Sequence, residues 1–153
     1  MKRKTDAYVK RITEAAIRRK VRTTVTDERV RLWDEGDSLY IRELVDRCEF
    51  DQGELPIVYS VVDWDNWLVV TTRALRFAFD GRQSVLPNCS IRYAGPDRPR
   101  LDAPFWKLAD GDSPVAFRIE DMDGVIHPCR CWPRERIMLP TTAALTMLKL
   151  TQG

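Results

Sequence analysis

The residues whose types and spacing could form a metal-binding or reactive site are His127, Cys129 and Cys131. Imidazole and thiolate groups both bind transition metals. The three residues alternate along the chain, so in a β-strand they share one face and span about 13 Å. Zinc holds its ligands about 2.0–2.3 Å from one centre, which a straight strand cannot provide for all three. The pattern therefore predicts an inward-facing strand and no metal site. Pro128 places that strand at a sheet edge or at a bulge.

His127 is the only histidine among the 153 residues, so any base for a cysteine nucleophile has to come from it. Cys129 lies on the same predicted face, but such a pair also needs a third group that orients the base. The paired aspartates fall in predicted turns, where aspartate favours backbone capping over catalysis; they are Asp63 with Asp65, Asp110 with Asp112, and Asp121 with Asp123. The chain has no glycine-rich phosphate-binding motif. We expect no catalytic residues and no cofactor, and a His127–Cys129 enzyme remains the residual alternative.

Four cysteines occur, at positions 48, 89, 129 and 131. The first residues lack the apolar centre of a signal peptide, so we expect a cytoplasmic protein with free thiols. No apolar stretch approaches the 18 residues of a membrane-spanning helix.

Charge is segregated along the chain, although the net charge is only +2. Residues 1–22 contain nine basic and two acidic side chains, a balance of +7. Residues 23–54 contain four basic and ten acidic side chains, a balance of −6. The whole chain is therefore no polycation built for nucleic acid, and the asymmetry points to partners or to pairing within the molecule.

Residues 6–22 have the spacing of an amphipathic helix, with Asp6 as a candidate N-cap. Its basic face is expected to be solvated or to meet the acidic segment. The alternative is an anion or nucleic-acid site, which would use Arg18, Arg19 and Lys20 in this helix and Arg98 and Arg100 in the loop 94–104. This helix has few aromatic residues, so base stacking lacks support.

Two features of the chain are candidate contacts for a protein partner. The acidic segment 23–54 includes Asp46, on a predicted helix 39–48 that Ser38 could cap, and Glu49 directly after that helix. The second feature is the turn between the predicted strands 57–62 and 67–72, where Trp64, Asp65 and Trp67 lie. Alternation through this turn should expose one of the two tryptophans.

The character of the chain changes after residue 54. Strands are predicted near 57–62, 67–72, 75–79, 83–86, 90–93, 115–119 and 125–127, and Asp80-Gly81 and Asp123-Gly124 are hairpin signals. A helix is predicted over 140–150, with Pro140 in its first turn. The fold class is α+β: an N-terminal helical segment (1–54), then a domain (55–153) with an antiparallel bent sheet or partial barrel of six or seven strands, closed by a C-terminal helix.

Consecutive strands closed by a helix, with the stretch Trp67-Leu68-Val69-Val70-Thr71-Thr72-Arg73-Ala74-Leu75-Arg76-Phe77, resemble the bacterial pleckstrin-homology-like domains over residues 55–150. In general character the chain is also similar to immunity proteins of bacterial toxin systems. The resemblance implies a fold but does not determine a ligand.

These observations predict a non-enzymatic bacterial protein-binding module, in its sharpest form an immunity protein that neutralises a toxin. Its acidic surface would speed the encounter with a basic partner. The alternative is a protein that binds nucleic acid or an anionic surface through the basic helix.

Overall fold

The computed structural model describes residues 4–21, 27–97, 113–133 and 135–152. The helices are α1 (Asp6–Lys20), α2 (Ser38–Cys48) and α3 (Glu135–Gln152). The strands are β1 (Val30–Leu32), β2 (Pro56–Asp63), β3 (Asn66–Thr71), β4 (Ala74–Phe79), β5 (Arg82–Pro87), β6 (Ile91–Pro96), β7 (Val115–Asp121) and β8 (Ile126–Cys131). Short 3₁₀ helices lie at Trp33–Glu35 and Asn88–Ser90.

The predicted α+β class is confirmed, with antiparallel strands between an N-terminal and a C-terminal helix. The described strands form two sheets, ordered β1-β2-β3-β4-β5 and β6-β7-β8, and these do not close into a barrel. The tight turn between β4 and β5 confirms the Asp80-Gly81 signal: both residues have positive φ, 49° and 85°, as a type I′ turn requires. Pro128 lies in β8 at the edge of the three-stranded sheet, as its missing N–H predicts.

Strands β2, β3 and β4 of the five-stranded sheet are buried on both faces along most of their length, whereas β5 is largely exposed. One face packs with the three-stranded sheet, α1 and α3 into a core, which contains Leu68, Phe77, Phe117 and Met147. The opposite face carries Tyr59, Trp67 and Val69, and α2 covers it with Leu44 and Cys48. Since both faces are apolar, β3 is buried at each of its positions instead of alternating.

Two predicted helix starts need correction. Thr5, and not Asp6, caps α1, because its side chain accepts a hydrogen bond from the Tyr8 N–H at 3.2 Å. Asp37 takes the cap of α2 in place of Ser38, and it accepts from the Leu39 N–H at 2.9 Å. In both cases the true cap lies one residue earlier, where the backbone is still extended.

The C-terminal helix is longer than predicted, because Pro140 lies inside α3 and not in its first turn. Ile137 and Leu139 precede this proline and are buried in the core, so packing extends the helix towards its N-terminus. Pro140 has no N–H, so one hydrogen bond of the helix is missing. Close to this position, the hydroxyl of Thr141 donates a hydrogen bond of 2.7 Å to the backbone carbonyl of Ile137.

Contacts cross the predicted boundary between residues 54 and 55. Strand β1 pairs with β2, with Val30 opposite Ser60, and α1 packs against α3. Asp6 on α1 accepts hydrogen bonds from Thr72 and Arg73 in the β3–β4 turn, at 2.6–3.1 Å. Residues from the two predicted segments therefore share one sheet and one core.

Within the described ranges, no helix combines the length and the hydrophobicity that a membrane crossing requires.

Candidate interaction surface

Helix α2 is fixed on the sheet by a hydrogen-bond relay at its N-terminus. The Tyr59 hydroxyl donates to the carbonyl of Glu28 at 2.8 Å and accepts from the Asp37 N–H at 3.1 Å. Burial raises the pKa of this hydroxyl, so it stays protonated and keeps donating. Gly36 lies against the Tyr59 ring, where a Cβ would come within 2.6 Å of Cε1. The start of α2 therefore has a defined position on the sheet.

The turn between β2 and β3 is attached to the other end of α2 through Trp64. The guanidinium of Arg47 lies 5.1 Å from the centre of the Trp64 ring and donates to the Trp64 carbonyl at 3.2 Å. The ring of Tyr40 lies 5.9 Å away on the same indole. Glu43 accepts from Arg47 at 2.8 Å and so holds the guanidinium in place. These contacts leave Trp64 half-buried.

The two tryptophans of this turn have different environments, as the alternation predicted. Trp67 is 1% exposed and packs beneath α2, so it is not available to a partner, and the prediction that it contacts one is corrected here. The indole lies in the sheet interior because its strand position points to the α2 face. Trp64 directly follows the end of β2 and remains the more accessible of the two tryptophans.

Three of the predicted carboxylates are exposed on this side of the molecule. Asp46 and Glu49 lie on or directly after α2, and Asp65 lies in the turn beside Trp64. None of the three side chains forms a hydrogen bond or an ion pair with another residue that the structure describes. Leu39 and Val45, 73% and 47% exposed, add apolar area. We call these six residues the α2 surface: Leu39, Val45, Asp46, Glu49, Trp64 and Asp65.

The basic helix α1 is partly neutralised by the acidic segment. Lys10 donates to Asp34 at 2.9 Å, and Arg18 donates to Glu35 at 3.0 Å. Arg19 and Lys20 are exposed. Among the described residues, the expected meeting of the two charged segments therefore occurs at these two ion pairs. The predicted basic residues Arg98 and Arg100 lie outside the described residues.

The residues considered for metal binding or nucleophilic chemistry lie on strand β8. His127, Cys129 and Cys131 share one face of β8, and the two thiols are buried. Burial raises the pKa of Cys131 well above its ordinary value and that of Cys48 to about 12, so neither is a thiolate near neutral pH. No cluster of three metal-ligand side chains occurs within the described ranges.

Sequence reasoning missed the partner of His127. Its Nε2 atom lies 3.0 Å from a carboxylate oxygen of Asp121, across the β7–β8 hairpin. The signal was available: the Asp123-Gly124 turn brings the two strands into register, with Glu120 opposite Ile126. The predicted turn-capping role of Asp121 is also present, since its carboxylate accepts hydrogen bonds from the N–H groups of Asp123 and Val125.

No known family model matches this chain, and neither does any curated protein or solved structure. The resemblances to pleckstrin-homology-like domains and to immunity proteins therefore stay predictions from the sequence.

Proposed function

We propose that this protein is a non-enzymatic binding module that recognises a basic protein partner through the α2 surface. The observation that carries the proposal is the pair of exposed, unpaired carboxylates of Asp46 and Glu49 on the helix that packs against the half-buried Trp64. A partly exposed aromatic ring surrounded by charge has the composition of an interface anchor.

The carboxylates of this surface outnumber its cations, since the exposed Arg42, one turn before Asp46 on α2, is the only other charged group facing them that is not held by a neighbour among the described residues. Arg47 is engaged by Glu43 and by Trp64, whereas the carboxylates of Asp46, Glu49 and Asp65 have no cationic partner among the described residues. An uncompensated negative surface attracts a basic protein over a distance of about 10 Å at moderate salt, and so speeds association. Leu39 and Val45 supply apolar area that becomes buried on contact.

The sharpest form of the proposal is a bacterial immunity protein that acts in the cytoplasm and neutralises a basic toxin. A nucleic-acid-cleaving toxin needs a basic surface to hold its substrate. The acidic α2 surface is complementary to such a surface, and its occupation would exclude the substrate. This form follows from charge and size, together with the similarity in general character noted above.

Site-specific photo-crosslinking tests the proposal. A photoreactive residue is placed at Asp46 or, as the control, at the exposed Asp123 in the β7–β8 turn, and each protein is incubated in lysate of the native host. We expect one basic protein to crosslink from position 46 only, in competition with unlabelled wild-type protein. The purified pair should then bind at least tenfold more weakly when Asp46→Lys and Glu49→Lys are combined. Equal binding of the double variant would contradict the proposal.

The second candidate is binding of nucleic acid through α1, since Arg19 and Lys20 are exposed at its end. Arg18 is already paired with Glu35, which weakens this candidate. Fluorescence anisotropy with a labelled DNA duplex and an RNA hairpin tests it at several salt concentrations. Affinity that falls steeply with salt, and is lost when Arg19 and Lys20 are changed to alanine, would favour it.

A further inference from the structure

A cavity of about 410 Å³ lies between the β4–β5 hairpin and β8, at the side of the molecule where the two sheets meet. Its volume falls within the range of small-molecule sites. The lining combines two aromatic rings with several polar side chains; it consists of Phe77, Phe79, Asp80, Arg82, Ser84, His127 and Pro128.

Strand register explains why these side chains meet. Phe77 lies opposite Ser84 and Phe79 lies opposite Arg82, so all four project from the same face of the hairpin. This is the face that packs towards the second sheet, since Phe77 belongs to that core. The α2 surface lies on the opposite face of the five-stranded sheet, so the cavity is separate from the proposed protein-binding surface.

The imidazole of His127 has a defined orientation in this cavity. Asp121 holds its Nε2 atom at 3.0 Å, and the Phe77 ring meets the imidazole edge-on at 6.3 Å between centroids. Two backbone N–H groups fix the same Asp121 carboxylate. With Nε2 occupied, the other ring nitrogen has no partner among the described residues and can serve a ligand.

The charges around the cavity leave one cation uncompensated. Asp80 is neutralised by Arg130, whose guanidinium lies 2.6 Å from its carboxylate. The guanidinium of Arg82 and the hydroxyl of Ser84 form no hydrogen bond or ion pair with residues in the described ranges. A guanidinium and a hydroxyl beside two phenylalanine rings match a carboxylate attached to an apolar body.

We infer that this cavity binds a small aromatic or apolar molecule that carries one carboxylate. Phe77 and Phe79 receive the apolar body, and Arg82 and Ser84 bind the carboxylate, while the His127 ring forms part of the cavity wall. Pro128 has no N–H, so the edge of β8 offers no donor at its position and cannot be extended by a further strand there.

Nuclear magnetic resonance of the ¹⁵N-labelled protein tests this inference with two probes of equal shape. One probe is 1-naphthoate, and the other is the neutral 1-naphthalenemethanol. We expect saturable shifts of the Phe77, Ser84 and His127 amides with naphthoate, and binding at least tenfold weaker for the neutral alcohol. Arg82→Met should remove most of this preference, whereas Arg42→Met, which changes an exposed arginine on the opposite face, should leave it intact.

A variant that fills the cavity completes the test. Ser84→Leu should weaken both probes and leave the amide shifts elsewhere unchanged, which shows that the fold is retained. Equal affinity for the two probes would overturn the inference, as would shifts confined to other regions or no saturable binding of naphthoate up to about 5 mM. The α2 surface takes no part in these measurements, so their outcome is independent of the proposed protein partner.

Discussion

The guanidinium of Arg76 binds the carboxylate of Glu54 through two hydrogen bonds, of 2.7 and 2.9 Å, although the side chains are only 8% and 0% exposed. The Thr71 hydroxyl also donates to Glu54, and Arg76 donates to the Cys48 carbonyl at the end of α2. This buried pair therefore joins the end of α2 to β3 and β4, on the side of the sheet that carries the α2 surface.

Replacing Glu54 by glutamine should destabilise the protein strongly, because the buried Arg76 would lose its hydrogen-bonded anion and keep only the exposed Asp51, whose carboxylate lies 3.8 Å away. We expect a loss of about 3–5 kcal/mol in the free energy of unfolding. Urea denaturation measures it, and Glu49→Gln is the matched control, since that exposed side chain should change stability by less than about 0.5 kcal/mol. Similar losses in both variants would contradict the structural role of the pair.

The same pair should make stability depend on pH in acid. Burial raises the pKa of Glu54, but the hydrogen bonds from Arg76 and Thr71 outweigh it, so the folded pKa lies below the ordinary value of 4.5. The stabilisation is therefore complete above that value and is lost as the pH falls through the lower, folded pKa. Wild type and Glu54→Gln should be compared by denaturation from pH 7 to pH 3. The difference between their free energies of unfolding should be constant near neutral pH and should narrow below about pH 4.5. A difference that stays constant down to pH 3 would contradict this assignment.

Asp6→Asn should loosen α1 without unfolding the sheets. The Asp6 carboxylate accepts hydrogen bonds from Thr72 and Arg73, and an amide cannot accept both bonds from the guanidinium. We expect amide hydrogen exchange in α1 to accelerate about tenfold, while exchange in β3 is unchanged. Glu14→Gln, which alters a 3.8 Å pair with Lys10 on the same helix, should change the exchange much less.

Thiol labelling should separate Cys89 from the other three cysteines. Cys89 is exposed, whereas Cys48, Cys129 and Cys131 are buried. With Ellman's reagent we expect one thiol to react quickly in the native protein and all four after unfolding. Cys89→Ser should remove the fast reaction. A second fast thiol in the native protein would contradict this expectation and show that either the α2 contact around Cys48 or the β8 core opens readily.

Local signals in the sequence predicted the hairpins well. Alternation and the two Asp-Gly turns depend on neighbouring residues alone, and the structure places strands close to where they indicate. Strand β1 has three residues, Val30–Leu32, and the sequence indicates no more than a short extended piece there, because β1 is a strand only through its pairing with β2. The division of the strands into two sheets likewise depends on contacts between distant segments, which a single sequence does not display.

The candidate site was also predicted only in part, because some of its features depend on local signals and others on contacts between distant segments. The exposure of Asp46, Glu49 and Asp65 follows from charge and helix periodicity, so these positions were accessible to sequence reasoning. The burial of Trp67 required knowing that α2 covers the second face of the sheet. The cavity beside His127 required the packing of one sheet against another, which no local pattern encodes.

The docking of α1 on α3 has a consequence for folding during translation. The Thr13 hydroxyl of α1 contacts the sulfur of Met147 in α3 at 3.3 Å, and Val9 and Ile17 belong to the same core as Met147. At ribosomal rates, α3 is synthesised on the order of ten seconds after α1. The nascent chain therefore carries a basic helix whose apolar face lacks α3 until the end of synthesis, so this part of the core can form only after nearly the whole chain has been made.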